Sequence, residues 1–333
     1  MIAEYKALVA STTQPKPDLP LGRAIFAQTC GKCHMLYGVG NQIGPDLTGS
    51  NRSDLDYLLS NIIDPSSVMA KEYQPTIILT DDGRVITGLV KAEDEKTITL
   101  QATDELIVLP KDEIEERQIS DKSMMPDDQL KQFNEHQIRS LIAYLSAKSQ
   151  TPMKATPENT TTLFNGVDLK GWSGAEGLWF VENGEIVGRT EGLDRNEWLV
   201  SDLEASDFRL SLEVMLVKNE GNSGIQFRSQ AENGEVSGYQ ADVGAGWWGK
   251  LYEEHGRALL WDKSGEEFVK PGEWNKYEIV AQGDHIRTFI NGQPCVDLKD
   301  PKGKKKGIIA VQLHSGGKTE VRFRNLRLQL LTE

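Results

Sequence analysis

Two cysteines and a histidine near the start of the chain have a spacing that could do chemistry. They are Cys30, Cys33 and His34, in the order Cys-Gly-Lys-Cys-His. Two thiols three residues apart can add to the two vinyl groups of a haem, and the adjacent histidine then ligates the iron. The motif therefore predicts one covalent haem c in the N-terminal part of the chain.

Other chemistry is open to the same residues. A zinc half-site or a redox-active dithiol also uses a close pair of cysteines. Zinc would need a second pair of cysteines or histidines nearby, and neither Cys295 nor the remaining histidines provide one at a suitable spacing. We therefore favour haem attachment, and we expect Cys295 to be a small buried side chain.

The residues around this motif resemble class I c-type cytochromes, in particular the extracytoplasmic haem-binding type. Gly22 and Phe26 precede the motif, GPDLTG at residues 44–49 follows it, and LIAYL at residues 141–145 ends the last helical pattern. The resemblance covers residues 19–148. It implies an all-α domain with one haem, and electron transfer as its activity.

The same resemblance assigns residues to the surroundings of the haem. It implies that the Pro45 carbonyl binds the proximal imidazole, and that Phe26 and Tyr144 lie where the first and last helices cross. It implies a methionine before a proline as the second axial ligand. Met125 is our choice and Met124 is the alternative, because both stand in Ser-Met-Met-Pro.

The patterning of the first half combines helices with a β-rich segment. Helical periodicity and caps are found at residues 21–29, 54–63 and 135–148. Between the last two, at about residues 74–120, the short runs TIIL, RVITGLV, KTITL and ELIVL are separated by turns. We expect an all-α cytochrome domain at 19–148 with a small β-meander insertion, preceded by an N-terminal arm at 1–18.

The second half has the pattern of an all-β domain. Residues 149–161 are polar and contain two prolines, which indicates a linker. Residues 208–216 alternate apolar and polar side chains, and further short strands with glycine and asparagine turns follow. These features predict an antiparallel jelly-roll sandwich over residues 162–333.

Several of these strands carry amide and ionisable side chains on one face. A solvated outer face is an ordinary explanation, but such faces are rich in lysine and glutamate. Here the residues are Gln226, Arg228, Gln240, Asp242, Gln312 and His314. Residues 246–257 add two adjacent tryptophans among glycines, acids and a histidine, which suits either sugar stacking or core packing.

Separated motifs of the second half resemble the 3-keto-disaccharide hydrolase family. They include FNGVDLKGW, ENGEIVG, GNSGIQFRS, GYQADVG and VQLHSGGKTEVRFRNLRL. The resemblance covers about residues 160–333 and implies a concanavalin-like jelly roll that cleaves 3-keto-glycosides, by elimination and hydration. A non-catalytic carbohydrate-binding module is the alternative. Leu313 stands where many relatives carry an acidic residue, which leaves no role for that acid in this chain.

Cleavage beside a ketone needs a base, an acid and stabilisation of an enolate. His314 or Asp242 is the candidate base, and Glu253 or Tyr252 the candidate acid. The remaining candidates divide by role: Arg228 and Lys250 for the enolate, Trp247 or Trp248 for stacking on the sugar, and Gln226, Gln240 and Gln312 for substrate binding. A bound divalent metal could replace the cationic side chains.

Charge and hydropathy restrict partners and location. The net charge of −13 is spread over both halves, which argues against nucleic-acid binding. No apolar run is long enough to span a membrane. Because this type of haem attachment occurs outside the cytoplasm, we expect a periplasmic or extracellular protein whose natural chain begins before Met1. We expect a 3-keto-glycoside as substrate and a sugar dehydrogenase or another cytochrome as redox partner.

Overall fold

The computed structural model describes residues 1–161 and 163–331, which form two compact units. The first unit is Met1–Thr151, and the second begins at Pro152. Each unit has hydrophobic clusters of its own. Within the described residues, no helix is long and apolar enough to cross a membrane.

Four α-helices build one part of the first unit. They are α1 (Ile2–Ala10), α2 (Leu19–Gln28), α3 (Leu55–Ile63) and α4 (Glu135–Leu145). Side chains satisfy the free amides at three of their N-termini: Asp18 begins α2, Asp54 begins α3, and a reciprocal Asn134–Gln137 capping box begins α4.

The closest helix packing in this unit is between α2 and α4. A Cβ on Gly22 would lie 2.1 Å from the Ser140 carbonyl oxygen, so only glycine permits this approach. The rings of Phe26 and Tyr144 lie 5.7 Å apart at the crossing. The sequence prediction for the position of these two rings therefore agrees with where the structure places them.

The first unit also contains β-strands. Its strands are β1 (Met35–Leu36), β2 (Val39–Gly40), β3 (Thr76–Thr80), β4 (Val85–Glu93), β5 (Thr97–Gln101), β6 (Leu106–Pro110) and β7 (Ile114–Ile119). Strands β3 to β7 form one antiparallel sheet in the order β6-β5-β4-β3-β7. Ile78, Ile98 and Leu100 are buried in its separate core.

The predicted fold class is therefore wrong for the first unit. An all-α cytochrome domain is not present, because a five-stranded sheet with its own core accompanies the helices. The β-rich runs were visible in the sequence, but they build a larger part of the unit than an insertion into a helical domain implies.

The second unit is a sandwich of two large sheets. It contains the short helix α5 (Pro157–Thr160) and the strands β8 (Met153–Lys154), β9 (Trp172–Gly174), β10 (Trp179–Glu182), β11 (Glu185–Thr190), β12 (Glu197–Ala205), β13 (Phe208–Leu216), β14 (Asn222–Glu232), β15 (Glu235–Gly244), β16 (Leu251–Glu254), β17 (Ala258–Trp261), β18 (Asn275–Gln282), β19 (His285–Ile290), β20 (Gln293–Lys299), β21 (Gly307–Leu313) and β22 (Thr319–Leu330).

The two sheets have seven and eight strands. Their orders are β10-β11-β22-β13-β18-β19-β20 and β17-β16-β15-β14-β21-β12-β8, with β9 also paired to β12. All pairings are antiparallel except that of β8 with β12. The sandwich predicted for the second half is present, and residues 153–154 and 157–160, expected in the linker, form β8 and α5.

Alternation along the strands explains how the sandwich core forms. On β13, the buried residues Phe208, Leu210 and Leu212 alternate with partly exposed polar ones. On the eight-stranded sheet, Ile225 and Phe227 point into the same core. Their neighbours along β14 therefore point to the opposite face of that sheet, since side chains alternate along a strand.

Candidate functional site

The face of the eight-stranded sheet that points away from the core is polar at its centre. We define this polar face by Trp198, Gln226, Gln240, Asp242, Tyr252 and Gln312, which come from five neighbouring strands. In the sheet register, Trp198 pairs with Gln312, Gln226 with Gln240, and Gln240 with Tyr252. The sheet thus brings three separated parts of the sequence together, around residues 198, 226–252 and 312.

A chain of hydrogen bonds runs across the polar face. Ser229 Oγ donates to Gln226 Oε1 at 2.6 Å, and Gln226 Nε2 donates to Gln240 Oε1 at 3.0 Å. Gln240 Nε2 then donates to Asp242 Oδ1 at 2.8 Å. Each amide both accepts and donates, so the chain fixes the orientation of the Asp242 carboxyl group.

A glycine makes room for this arrangement. Gly224 pairs with Asp242 across β14 and β15, and a Cβ on Gly224 would lie 2.4 Å from Gln240 Cδ. The missing side chain leaves space for the Gln240 amide to turn toward Asp242. Glycine is required here for close packing, and not for a special backbone angle.

Asp242 is the most strongly perturbed acid of the polar face. Its side chain is 3% exposed, and Oδ2 has no hydrogen-bond partner. Burial raises the pKa of Asp242 to about 7, with the negative charge of Glu254 acting in the same direction, while the Gln240 hydrogen bond lowers it. A carboxyl group with this pKa exchanges protons near neutral pH, which suits general acid–base catalysis.

Glu254 and His314 lie beside the polar face, half-buried. Glu254 Oε1 accepts a hydrogen bond from Asn196 Nδ2 at 3.3 Å, and burial raises the pKa of this carboxyl. The His314 charge acts on Glu254 in the opposite direction. His314 Nδ1 lies 2.7 Å from the Ser315 carbonyl oxygen, so Nδ1 carries the proton in the neutral ring and Nε2 is the free acceptor.

An exposed aromatic side chain lies at one edge of this region. Trp247 is 40% exposed, and its ring lies 6.4 Å from the Tyr252 ring in an edge-to-face arrangement. Lys250 Nζ lies 5.3 Å from the Trp247 ring centre and forms an ion pair with Asp262 at 2.6 Å. Trp247 and Tyr252 together offer an aromatic surface of the kind that sugars stack on.

Three of the residues predicted for the site lie elsewhere. A β-bulge after Phe227 turns Arg228 away, and its guanidinium instead binds the Ser206 and Gly283 carbonyls and Asp207. The prediction that Arg228 stabilises an enolate beside Asp242 is therefore wrong, because those three partners already occupy its donors.

Glu253 and Trp248 are also outside the polar face. Glu253 lies on the opposite side of β16 from Tyr252, where Arg257 binds both of its oxygens. Trp248 is 1% exposed within the sandwich core, and its Nε1 donates to Asn219. The predictions of Glu253 as the acid and Trp248 as a stacking residue are wrong for these reasons.

Glu254 was missed by the sequence analysis. It follows Glu253 on β16, and strand alternation places it on the same side as Tyr252. That alternation was the signal that could have identified it, once the strand at residues 251–254 was recognised.

The cysteine motif lies in the first unit, at the end of α2. His34 Nδ1 lies 3.0 Å from the Pro45 carbonyl oxygen, and a Cβ on Gly44 would lie 2.7 Å from the imidazole Cε1. This contact leaves Nε2 as the ring nitrogen for a ligand, which fits the predicted proximal role of His34. Cys30 and Cys33 are free thiols, and burial raises the pKa of both.

Met125 packs against the helical core of the first unit and is partly buried. Its role as an axial ligand, with Met124 as the alternative, stays a prediction. Among residues 1–161 and 163–331 there is no group of three or more histidine, cysteine, aspartate or glutamate side chains that could hold a metal ion. The expectation of metal binding through such a group is therefore wrong for the described residues. A divalent metal bound in the second unit stays a prediction.

A comparison with protein families matches the second unit. Residues 159–329 match the model of a family described as the 3-keto-alpha-glucoside-1,2-lyase-like domain. No curated protein matches the chain at a significant level.

Solved structures similar to this chain are distant. The carbohydrate-binding module CBM66 from Bacillus subtilis is 17% identical, with a TM-score of 0.39, and the match covers 48% of this chain and 95% of that one. A candidate glycosyl hydrolase from Parabacteroides distasonis is 20% identical, with a TM-score of 0.41, and the match covers 54% of this chain and 98% of that one.

The interpretation of the first unit as an electron-transfer cytochrome is corrected accordingly. The family match lies entirely within the second unit, and the first unit is not an all-α domain. The expected redox partner has no support either. Covalent attachment of a haem to Cys30 and Cys33 is a narrower statement, and it stays a prediction.

Proposed function

This chain belongs to the 3-keto-alpha-glucoside-1,2-lyase-like domain family, whose model matches residues 159–329, more than half of the chain, and we propose that the second unit cleaves the glycosidic bond of 3-keto-glycosides. The observation that carries the proposal is the Asp242 carboxyl group. It is buried, oriented by Gln240, unpartnered at Oδ2, and has a pKa raised to about 7.

The reaction begins with removal of a proton from carbon 2 of the sugar. A ketone at carbon 3 acidifies that proton, and Asp242 Oδ2 takes it as a general base. The electron pair of the broken C–H bond forms an enolate between carbons 2 and 3. The enolate then expels the glycosidic oxygen from carbon 1, and water adds to the resulting double bond, which gives the free 3-keto sugar and an alcohol.

The leaving oxygen needs a proton, and Glu254 is placed to supply it. Its raised pKa keeps the carboxyl group protonated at higher pH than an ordinary glutamate, so it can act as a general acid. Asn196 orients this group through its hydrogen bond. Glu254 replaces Glu253 in the role expected from the sequence, and Tyr252 stays available beside it as an alternative donor.

The experiment compares a 3-keto-disaccharide with its unoxidised parent, using the full chain. We expect free monosaccharide from the keto form only, and loss of this activity in Asp242→Asn. Asp297→Asn is the matched control, because Asp297 is 70% exposed on β20 of the other sheet and should not affect turnover. Equal cleavage of both sugars, or full activity of Asp242→Asn, would contradict the proposal.

A second candidate function is carbohydrate binding without catalysis. The exposed ring of Trp247 beside Tyr252 favours it, since such a surface binds sugars whether or not a bond is cleaved. Binding of both disaccharides with no product from either would support this alternative. Loss of binding in Trp247→Ala would then locate the sugar.

A further inference from the structure

Two buried N–H donors of the polar face have no hydrogen-bond partner. They are Trp198 Nε1 and Gln312 Nε2, and Gln312 Oε1 is also unpartnered. Trp198 is 4% exposed and Gln312 is fully buried. The two residues are direct partners in the pairing of β12 with β21, and their Cβ atoms are therefore about 5 Å apart on the same face.

Unsatisfied donors in such a position are costly. A buried polar group without a partner destabilises the folded chain, and Gln312 leaves both ends of its amide unsatisfied. The neighbouring amides of Gln226 and Gln240 differ from Gln312, because they form hydrogen bonds with each other and with Ser229 and Asp242. Gln312 and Trp198 thus have the chemistry of groups whose partner is a ligand.

The donors lie across the polar face from the candidate base. Ile225 pairs with Val311 and Gly224 with Asp242, so Gly224 separates Gln312 from Asp242 in one row across the sheet. The backbones of Gln312 and Asp242 are about 10 Å apart, two strand spacings. Gly224 contributes no side chain between the base and the two donors, and the Gln240 amide, which orients Asp242, lies over this glycine.

We propose that the Trp198 indole N–H and the Gln312 amide N–H form an oxyanion hole for the enolate oxygen on carbon 3 of the 3-keto-glycoside. This inference rests on the proposed function. In the substrate the ketone oxygen is neutral, and it becomes negative when the proton leaves carbon 2. Donors that are already in place and shielded from water stabilise that charge most when it develops.

The two N–H donors take the role of stabilising the enolate, which the sequence pattern had assigned to cationic side chains. Arg228 is bound to Asp207 and two carbonyls, and Lys250 is paired with Asp262. A ketone oxygen accepts hydrogen bonds and donates none, so two donors suit it. Gln312 Oε1 remains to accept a hydrogen bond from the hydroxyl group on a neighbouring carbon.

The experiment measures kcat and KM for a 3-keto-disaccharide, and exchange of the carbon 2 proton with deuterated water, in the full chain. The variants are Trp198→Phe, which keeps the aromatic ring, and Gln312→Glu, which keeps the shape. The matched control is Trp179→Phe, because Trp179 is a buried tryptophan on the other sheet whose Nε1 is also unpartnered.

Loss of one oxyanion-hole donor lowers kcat by roughly 10²–10³-fold. We expect this loss in both kcat and the exchange rate for Trp198→Phe and Gln312→Glu, with little change in KM and none for Trp179→Phe. If the wild-type chain turns over the substrate while folded Trp198→Phe keeps its kcat within twofold, the oxyanion hole is wrong. If the wild-type chain shows neither turnover nor exchange, the proposed function itself fails.

Discussion

The Gln240 amide donates a hydrogen bond to Asp242 Oδ1 at 2.8 Å, and it holds the carboxyl group with Oδ2 free. The bond stabilises the carboxylate and therefore lowers a pKa that burial raises. Burial and this hydrogen bond together therefore set the pH at which the candidate base is ionised.

The first prediction concerns the variant Gln240→Leu. Without the donor, the pKa of Asp242 should rise further, by about one unit for a hydrogen bond to a charged group worth roughly 1.5 kcal/mol. The acidic limb of the pH profile of kcat/KM should shift to higher pH by that amount. An unchanged profile in a folded, active variant would show that Asp242 is not the group that titrates.

The second prediction concerns stability and pH. The pKa of Asp242 is about 7 in the folded chain, whereas the ordinary aspartate value of 3.8 applies in the unfolded chain. Between these two pH values the folded chain therefore holds a proton that the unfolded chain has released. The free energy of unfolding should therefore fall as pH rises through this window, by up to about 4 kcal/mol in total. Asp242→Asn should abolish this decrease in the free energy of unfolding and should be more stable than wild type at pH 8.

Tryptophan fluorescence during urea unfolding measures this effect. All seven tryptophans lie in the second unit, so the signal reports on that unit. Asp297→Asn serves as the control, since Asp297 is exposed. A stability difference between wild type and Asp242→Asn that is the same at pH 4 and pH 8 would show that Asp242 is not buried as the structure has it.

The third prediction is that Arg228 stabilises the fold and takes no part in catalysis. Arg228→Met removes the ion-pair partner of Asp207, which keeps only the Gly283 N–H among its side-chain contacts, and leaves the Ser206 and Gly283 carbonyls without the guanidinium. We expect a loss of about 3 kcal/mol in the free energy of unfolding, as for broken buried ion pairs. The kcat of the folded fraction should stay within twofold of wild type. A tenfold decrease in the kcat of folded Arg228→Met would show that Arg228 takes part in catalysis.

The fourth prediction is the covalent haem at Cys30 and Cys33. The contact of His34 Nδ1 with the Pro45 carbonyl fits a proximal ligand, and the thiols are free in the structure. Chain produced in a host that attaches haem c should give a pyridine haemochrome spectrum after denaturation. Cys30→Ala and Cys33→Ala should weaken attachment and Cys295→Ala should not, whereas wild-type chain with no covalent haem would exclude it.

Strand alternation made much of the candidate site predictable. Gln226, Gln240, Asp242 and Gln312 could be placed on one face, because each follows or precedes a core residue in a regular strand. Arg228 could not, because a bulge with a positive backbone φ of 48° interrupts the alternation at that residue.

Pairs of identical neighbours were ambiguous for a different reason. Trp247 and Trp248 differ only in which side of the chain each occupies, and that depends on a turn after β15. The same holds for Glu253 and Glu254 on the short strand β16. In the first unit, the cysteine motif predicted a helical cytochrome domain with a small β-insertion. The five-stranded sheet instead has a separate hydrophobic core around Ile78.

The most direct test of the account is the kinetic isotope effect with a 3-keto-disaccharide deuterated at carbon 2. If Asp242 removes this proton in the step that commits the substrate, kcat/KM should be lower for the deuterated substrate, and Asp242→Asn should abolish both turnover and exchange. Turnover at the same rate for both isotopes, with no exchange of the carbon 2 proton and full activity in Asp242→Asn, would contradict the account.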